Sequence, residues 1–211
     1  MICVSISSID EIPVLLSKEV ELVELRLDQI GTEPDAIYSK VPAAWKTIAA
    51  CRPGPYGDHQ RLEWLKSSMN LGAHFVDVEV ESTEEYLKEV KNHAEVNGTR
   101  VIMSYHNFQE TPGYEQLVHQ LELCFERGGD IAKLATMVHS LEDLLHLIRL
   151  YENPGRKVVI GMGEMGRILR LAAPYLGAEF TFASPRKGLE TAPGQLDLGQ
   201  LSGIYKMIDE S

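Results

Sequence analysis

A (β/α)₈ TIM barrel, an α/β fold formed as a single domain over residues 1–211, is what this sequence predicts, and three observations lead there. First, eight short runs rich in Val and Ile, apolar on both faces, alternate with amphipathic stretches of helical period. Second, the 211 residues divide into eight units of about 26, which leaves little length for a second domain. Third, Arg26, Arg52, Glu79, His106 and Lys133 follow one another at spacings of 26, 27, 27 and 27 residues, each at or near the end of a predicted strand. In a barrel every strand delivers its C-terminal residue to one mouth, so a constant unit length gathers these side chains. The rival is a six-stranded open sheet in which two of the runs are not strands, and periodicity alone does not separate the two.

In chain order, the expected strands are residues 2–6, 22–28, 45–52, 75–80, 100–106, 131–137, 157–161 and 180–184. The second alternates polar and apolar residues, which puts Glu24, Arg26 and Asp28 on one side, the barrel interior. After the third, Leu62, Leu65 and Met69 recur with helical spacing. After the fourth, Ser82 and Glu85 form a candidate capping box ahead of Leu87, Val90 and Ala94. Leu117, Leu121, Cys124 and Phe125 make the next apolar stripe. Ser140, with Asp143 three residues on, is the expected N-cap of a helix carrying Leu141, Leu144, Leu145 and Ile148. The loops 53–58 and 185–195 are rich in Gly and Pro and follow strands on the presumed active face, where lids belong.

Composition narrows the function. The chain carries 31 acidic and 20 basic side chains, a formal charge of −11. That balance argues against sequence-independent nucleic-acid binding and against an electrostatic membrane anchor. An anionic ligand would need a local cluster of Arg working against the overall sign. No run approaches the length of a membrane span, and the N-terminus has no basic region of the signal-peptide kind. Cys3, Cys51 and Cys124 are odd in number and lack C-x-x-C spacing, so the expectation is a reducing cytoplasm with no structural zinc. Cys3 and Cys51 read as small buried hydrophobes.

Lys133 is the most informative residue. It interrupts the apolar run Ile131-Ala132-Lys133-Leu134-Ala135, where an ammonium must either snorkel to the rim or do chemistry. A buried amine is a nucleophile towards carbonyls. His106 closes the preceding strand and suits general acid/base work near neutral pH. Glu24 and Arg26 must pair with each other, with further charges or with a ligand, since isolated burial is too costly. For Asp28 an internal salt bridge is a serious competitor. The remaining histidines, including His59, His119, His139 and His146, show no metal-ligand pattern and read as solvated helix or loop positions.

Gly161-Met162-Gly163-Glu164-Met165-Gly166 matches the G-x-G-x-x-G dinucleotide fingerprint. The next strand ends in Ser184 rather than an acid, and too little chain follows for the rest of such a domain, so NAD is not expected. The glycines are expected instead to shape a turn whose helix N-terminus faces an anion, with Arg170 one turn further in.

Glu24-Leu25-Arg26-Leu27-Asp28, Thr47 to Arg52, Ser104-Tyr105-His106-Asn107-Phe108, Lys133-Leu134-Ala135 and Ala192-Pro193-Gly194-Gln195, in this order, resemble the type I 3-dehydroquinate dehydratases, along nearly the whole chain. The resemblance implies a (β/α)₈ barrel of the shikimate pathway of aromatic amino-acid biosynthesis, without metal or other cofactor, with a homodimer as the expected assembly. It implies that Lys133 forms a Schiff base with 3-dehydroquinate and that His106 moves the protons. It also implies that Arg170, Thr191 and Gln195 bind the substrate carboxylate, while Glu24, Arg26 and Arg52 hold the ring hydroxyls. Some members are fused to a shikimate dehydrogenase domain. The chain departs from the family in three places. Tyr56 stands where the family carries a Glu that orients the histidine, which leaves Asp58 as a candidate by proximity in sequence. Leu169 and Thr191 each replace a Ser, and Thr191 keeps the hydroxyl. The alternatives are a class I aldolase, which shares the barrel and the imine lysine and whose phosphate Arg170, Thr191 and Gln195 would hold, and a catalytically dead ligand-binding barrel.

Overall fold

A computed structural model describes residues 1–210 and places a parallel strand at each of the eight expected positions. They are β1 (Ile2–Ile6), β2 (Leu22–Arg26), β3 (Lys46–Ala50), β4 (Phe75–Glu79), β5 (Arg100–Asn107), β6 (Ile131–Met137), β7 (Lys157–Met162) and β8 (Thr181–Ser184). A short β9 (Leu196–Asp197) follows, which the sequence does not announce. β2 ends two residues before the expected point because the chain turns at Arg26 straight into α2 (Leu27–Ile30). β3 likewise stops at Ala50, ahead of the Pro/Gly loop.

The strands pair in the order β7-β6-β5-β4-β3-β2-β1-β8-β9, all parallel, which excludes the six-stranded alternative. The result is a (β/α)₈ barrel. Among the described residues no ladder joins β7 to β8. Their junction is spanned at its N-terminal end, where the Glu179 amide donates to the Lys157 carbonyl at 3.1 Å.

Three short helices, α1 (Ile12–Leu15), α2 and α3 (Pro34–Tyr38), precede β3, and the outer ring continues with α4 (Asp58–Asn70), α5 (Glu84–Asn97), α6 (Tyr114–Glu126), α7 (Leu141–Arg149), α8 (Gly163–Ala172) and α9 (Leu198–Asp209). The stripes Leu65/Met69, Leu87/Val90/Ala94 and Leu117/Leu121/Cys124 are buried against the strands as their spacing requires. Two details differ from expectation. The N-cap of α5 is Thr83, not Ser82, with its hydroxyl accepting from the Tyr86 amide. On α7 the Ser140/Asp143 capping box forms, but the helix is rotated so that Leu144 and Leu147 meet the barrel while Leu141 and Leu145 stay 63% and 49% exposed. A stripe wider than its contact leaves one edge in solvent. All three cysteines are buried and free.

Alternation along the strands builds the inside of the barrel in layers. Leu22, Phe75, Ile102 and Ile131 form an apolar floor. Two residues on along the same strands come Glu24, Asp77, Ser104 and Lys133, all buried. A further two residues reach the mouth, with Arg26, Glu79 and His106. β7 and β8 break this pattern and stay apolar inside, with Val158, Ile160 and Met162 facing Phe180 and Phe182. One half of the barrel is therefore charged and the other greasy. Among the described residues no helix is long and apolar enough to cross a membrane.

Candidate active site

A cavity of about 350 Å³ opens at the C-terminal ends of the strands. Every site residue expected from the sequence lines it: Glu24, Arg26, Arg52, His106, Lys133, Arg170, Thr191 and Gln195. Asp28 lines it too, and as the competing reading held it pairs internally, with Arg26 Nε and Nη2 reaching its two oxygens at 3.1 and 2.7 Å.

Lys133 lies deeper than the regular spacing suggests. It is the third residue of β6, in register with Ser104, whereas His106 is in register with Ala135. The amine therefore sits one layer below the imidazole, at the bottom of the cavity and only 4% exposed. Its Nζ donates to Asp77 Oδ2 at 2.8 Å and to Glu24 Oε1 at 3.1 Å, and lies 4.4 Å from the centre of the Phe182 ring. Ser5 donates to the other Glu24 oxygen at 2.8 Å.

A chain of alternating charges runs outward from this pair. Arg52 Nη2 binds Asp77 at 2.7 Å, and its Nη1 binds Glu79 at 2.7 Å. Arg61, buried on α4, holds the second Glu79 oxygen at 2.8 Å and Asp58 at 2.8 Å. Burial pushes the Asp77 and Glu24 carboxyls up, but the neighbouring cations outweigh it and hold both below their ordinary values, Arg52 and Lys133 for Asp77, Lys133 and Arg26 for Glu24. Burial likewise opposes the Arg52 cation, and Asp77 and Glu79 override it.

Asp58 is thus an Arg61 partner with a 70% exposed side chain and not the partner of the histidine. Tyr56 does not substitute for the missing Glu either. Its ring packs at 4.6 Å from that of Trp64 and its hydroxyl lies against Gly31, because an aromatic side chain at this loop position finds an apolar surface to cover. His106 stacks on the exposed Phe108. Burial drives its pKa well below 6.5, Arg52 and Lys133 add to that, and Asp77 opposes it.

Across the cavity Arg170 is the reverse case, a cation without a counter-ion. It projects from α8, is 1% exposed, and among the described residues its Nε and Nη2 reach no hydrogen-bond partner. Burial, then Arg167, lowers its pKa to about 10. Burying a guanidinium without hydrogen-bond partners is costly, and an anion bound to it offsets that cost. Beside it, the Thr191 amide and hydroxyl both donate to Gln195 Oε1, at 2.8 and 3.2 Å, which leaves the NH₂ end of that amide for the cavity.

The glycine motif has a packing role. Gly161 and Gly166 bring β7 and α8 into contact so close that a Cβ on either would strike the backbone of the other. Gly194, at φ 75°, lies on Gly163, and the Gly163 amide donates to the Pro193 carbonyl at 3.1 Å. That first amide of α8 is therefore taken by the 185–195 loop. The docking seats Thr191 and Gln195 beside Arg170.

Sequence reasoning did not reach Asp77, Arg61 or Ser5. Asp77 was accessible, since Phe75-Val76-Asp77-Val78-Glu79 alternates as the Glu24 strand does. Arg61 lies on the same face of α4 as Trp64 and Leu65, but a charged side chain near a helix start reads as solvated, and tertiary packing reveals its burial.

The type I 3-dehydroquinase family model matches residues 2–211. Proteins named 3-dehydroquinate dehydratase are similar over most of the chain. That of Methanocaldococcus jannaschii is 38% identical over 198 residues, covering 90% of this chain and 88% of its own. That of Pyrococcus abyssi is 34% identical over 204 residues, covering 92% and 90%. The structure of the 3-dehydroquinate dehydratase of Aquifex aeolicus matches with a TM-score of 0.85 at 29% identity, over 98% of either chain. The type I enzyme of Clostridium difficile, solved with covalently modified comenic acid, shares the fold with a TM-score of 0.86 at 24% identity, over 99% of this chain and 92% of that one. With barrel, mouth and relatives in agreement, the chain belongs to the type I 3-dehydroquinase family and is an enzyme of the hydro-lyase class.

Proposed function

We propose that the chain converts 3-dehydroquinate to 3-dehydroshikimate and water through an imine on Lys133, as a single-domain, cytoplasmic, homodimeric enzyme of the shikimate pathway that calls on no metal. The observation that carries this reading is the pairing, in one cavity, of a buried amine and an unpartnered guanidinium. The first suits a ketone and the second a carboxylate, and 3-dehydroquinate has both.

In the proposed sequence Lys133 attacks the C3 ketone and water leaves to give an iminium, an electron sink that acidifies the adjacent C2–H. His106 takes the C2 proton, and the C–H electrons form an enamine. His106 then returns the proton to the departing C1 hydroxyl, which leaves as water. Hydrolysis of the conjugated iminium releases 3-dehydroshikimate and regenerates Lys133. Arg170, with Thr191 and Gln195, anchors the carboxylate. Glu24, Arg26 and Arg52 hold the ring hydroxyls.

Turnover is checked by the absorbance of the conjugated enone product on incubation with 3-dehydroquinate. No product with this substrate, and cleavage of sugar phosphates instead, would make the enzyme an aldolase. In the His106→Ala variant the elimination falls by roughly two to four decades while the lysine adduct still forms. Undiminished turnover would assign the proton to another residue.

The depressed pKa of His106 fixes the sign of the pH dependence. The imidazole stays neutral, and so competent as a base, at and below pH 6.5. kcat/KM therefore holds level from neutrality down through 6.5 and turns down only in more acid solution. An acid limb at 6.5 contradicts the environment described for this residue. Sedimentation equilibrium tests the dimer, which predicts twice the chain mass.

A further inference from the structure

Two carboxylates touch the Lys133 amine, and they are built differently. Glu24 lines the cavity, and beyond Lys133 its hydrogen-bonding partner is the hydroxyl of Ser5. Asp77 does not line the cavity. It meets Nζ from the side away from the substrate space, and its side chain is fully buried. Ser104 donates to its Oδ1 at 2.6 Å, and Arg52 shares its Oδ2 with Lys133. A carboxylate held by a guanidinium, a hydroxyl and an ammonium is locked in position and in charge. It has no free rotamer to offer a ligand.

We propose that Asp77 is a catalytic residue, the fixed counter-ion of the Lys133 iminium. This rests on the Schiff-base reading above and deepens it. When substrate enters, the Glu24 carboxylate is drawn to a ring hydroxyl, while Asp77 stays 2.8 Å from the nitrogen. The nitrogen is positive in the iminium, neutral in the enamine after the C2 proton has left, and positive again once the C1 hydroxyl has gone. An anion that neither moves nor takes a proton favours both cationic states and keeps the N–H in place on the electron sink. Arg52, anchored on its far side by Glu79 and through it by Arg61, prevents Asp77 from protonating in response. The face of Phe182 supplies the second, weaker attraction for the same cation. The charged and titratable groups around that nitrogen are Cys3 of β1, Glu24 and Arg26 of β2, Arg52 after β3, Asp77 of β4 and His106 of β5. Among the described residues β7 and β8 present only apolar side chains there.

The test compares two hydride reagents across pH with 3-dehydroquinate as substrate. Cyanoborohydride reduces the protonated iminium, and borohydride also reduces the neutral imine. In the wild type, cyanoborohydride trapping persists well above neutrality, where an unassisted ketimine has already lost its proton. In Asp77→Asn the alkaline limb of trapping moves down by about one to two pH units, the effect expected for loss of an opposite charge at this range. kcat at neutral pH falls by about 10- to 100-fold, while borohydride still labels Lys133. Glu24→Gln, the control at the other carboxylate, raises KM and moves the limb less. An unshifted limb in folded Asp77→Asn, or a larger shift in Glu24→Gln, overturns the assignment and leaves the Schiff base standing. Should Asp77→Asn fail to fold, wild-type trapping that fades near neutrality overturns it as well. Absence of any wild-type adduct with either reagent removes the Schiff base and the counter-ion together.

Discussion

Lys133→Met is expected to lower turnover by at least roughly four decades, because among the described residues no other side chain lining the cavity offers an amine. The same substitution has a structural signature. It leaves Glu24 and Asp77 as buried anions without the cation between them. Removing one partner of a buried pair costs about 3–5 kcal/mol at neutral pH. The pH dependence changes with it. In the wild type both carboxyls are depressed in the folded state, so their contribution is present above the unfolded values, 4.5 for Glu24 and 3.8 for Asp77, and is lost as the pH falls below them. In the variant the Lys133 ammonium no longer offsets the burial of either carboxyl, so both folded values move up from those of the wild type and the stability lost on acidification shrinks. Urea unfolding at a series of pH values reads the shallower slope of the variant. Parallel slopes for the two proteins would show that the three charges are not coupled as their distances imply.

Arg170→Met separates function from stability. Two charge-assisted hydrogen bonds to a carboxylate contribute about 1.5–3 kcal/mol each, of which part is retained through neighbouring contacts, so kcat/KM falls by about 10²- to 10³-fold, mostly through KM. In the absence of substrate the variant is more stable than the wild type by about 1–3 kcal/mol, since an apolar side chain of similar length replaces a buried cation with unfilled donors. Thermal unfolding of the two proteins with and without a carboxylate ligand checks both halves. A destabilised variant would mean that the guanidinium is satisfied in the resting enzyme and is no vacant anion receptor.

The barrel was legible because its strands are buried on both faces and therefore read as short apolar runs with little ambiguity. The site was legible where a charge interrupts such a run, as at Lys133, or alternates with apolar residues, as in Glu24-Leu25-Arg26. What escaped is of two kinds. Arg61 lies four residues before Leu65, on the buried face of α4, but a charged side chain near a helix start reads as solvated, and its burial depends on Glu79 and the Cys51 carbonyl receiving it. The orientation of α7 escaped for a related reason, because four apolar residues define a stripe but not which edge of it meets the barrel. Asp77 is different, since Phe75-Val76-Asp77-Val78-Glu79 alternates openly while only Glu79 falls on the regular spacing of 26 and 27 residues. That spacing marked equivalent points along the chain and not equivalent depths, so Lys133 lies a layer below His106. The net charge of −11 says nothing of the mouth, where Arg26, Arg52 and Arg170 line the cavity.

If Lys133 forms an imine with 3-dehydroquinate, borohydride trapping followed by peptide mass spectrometry yields one adduct per chain, on the peptide containing Lys133, formed only when substrate and reductant are both present. No adduct, an adduct on another residue, or one that appears only with sugar phosphates contradicts it.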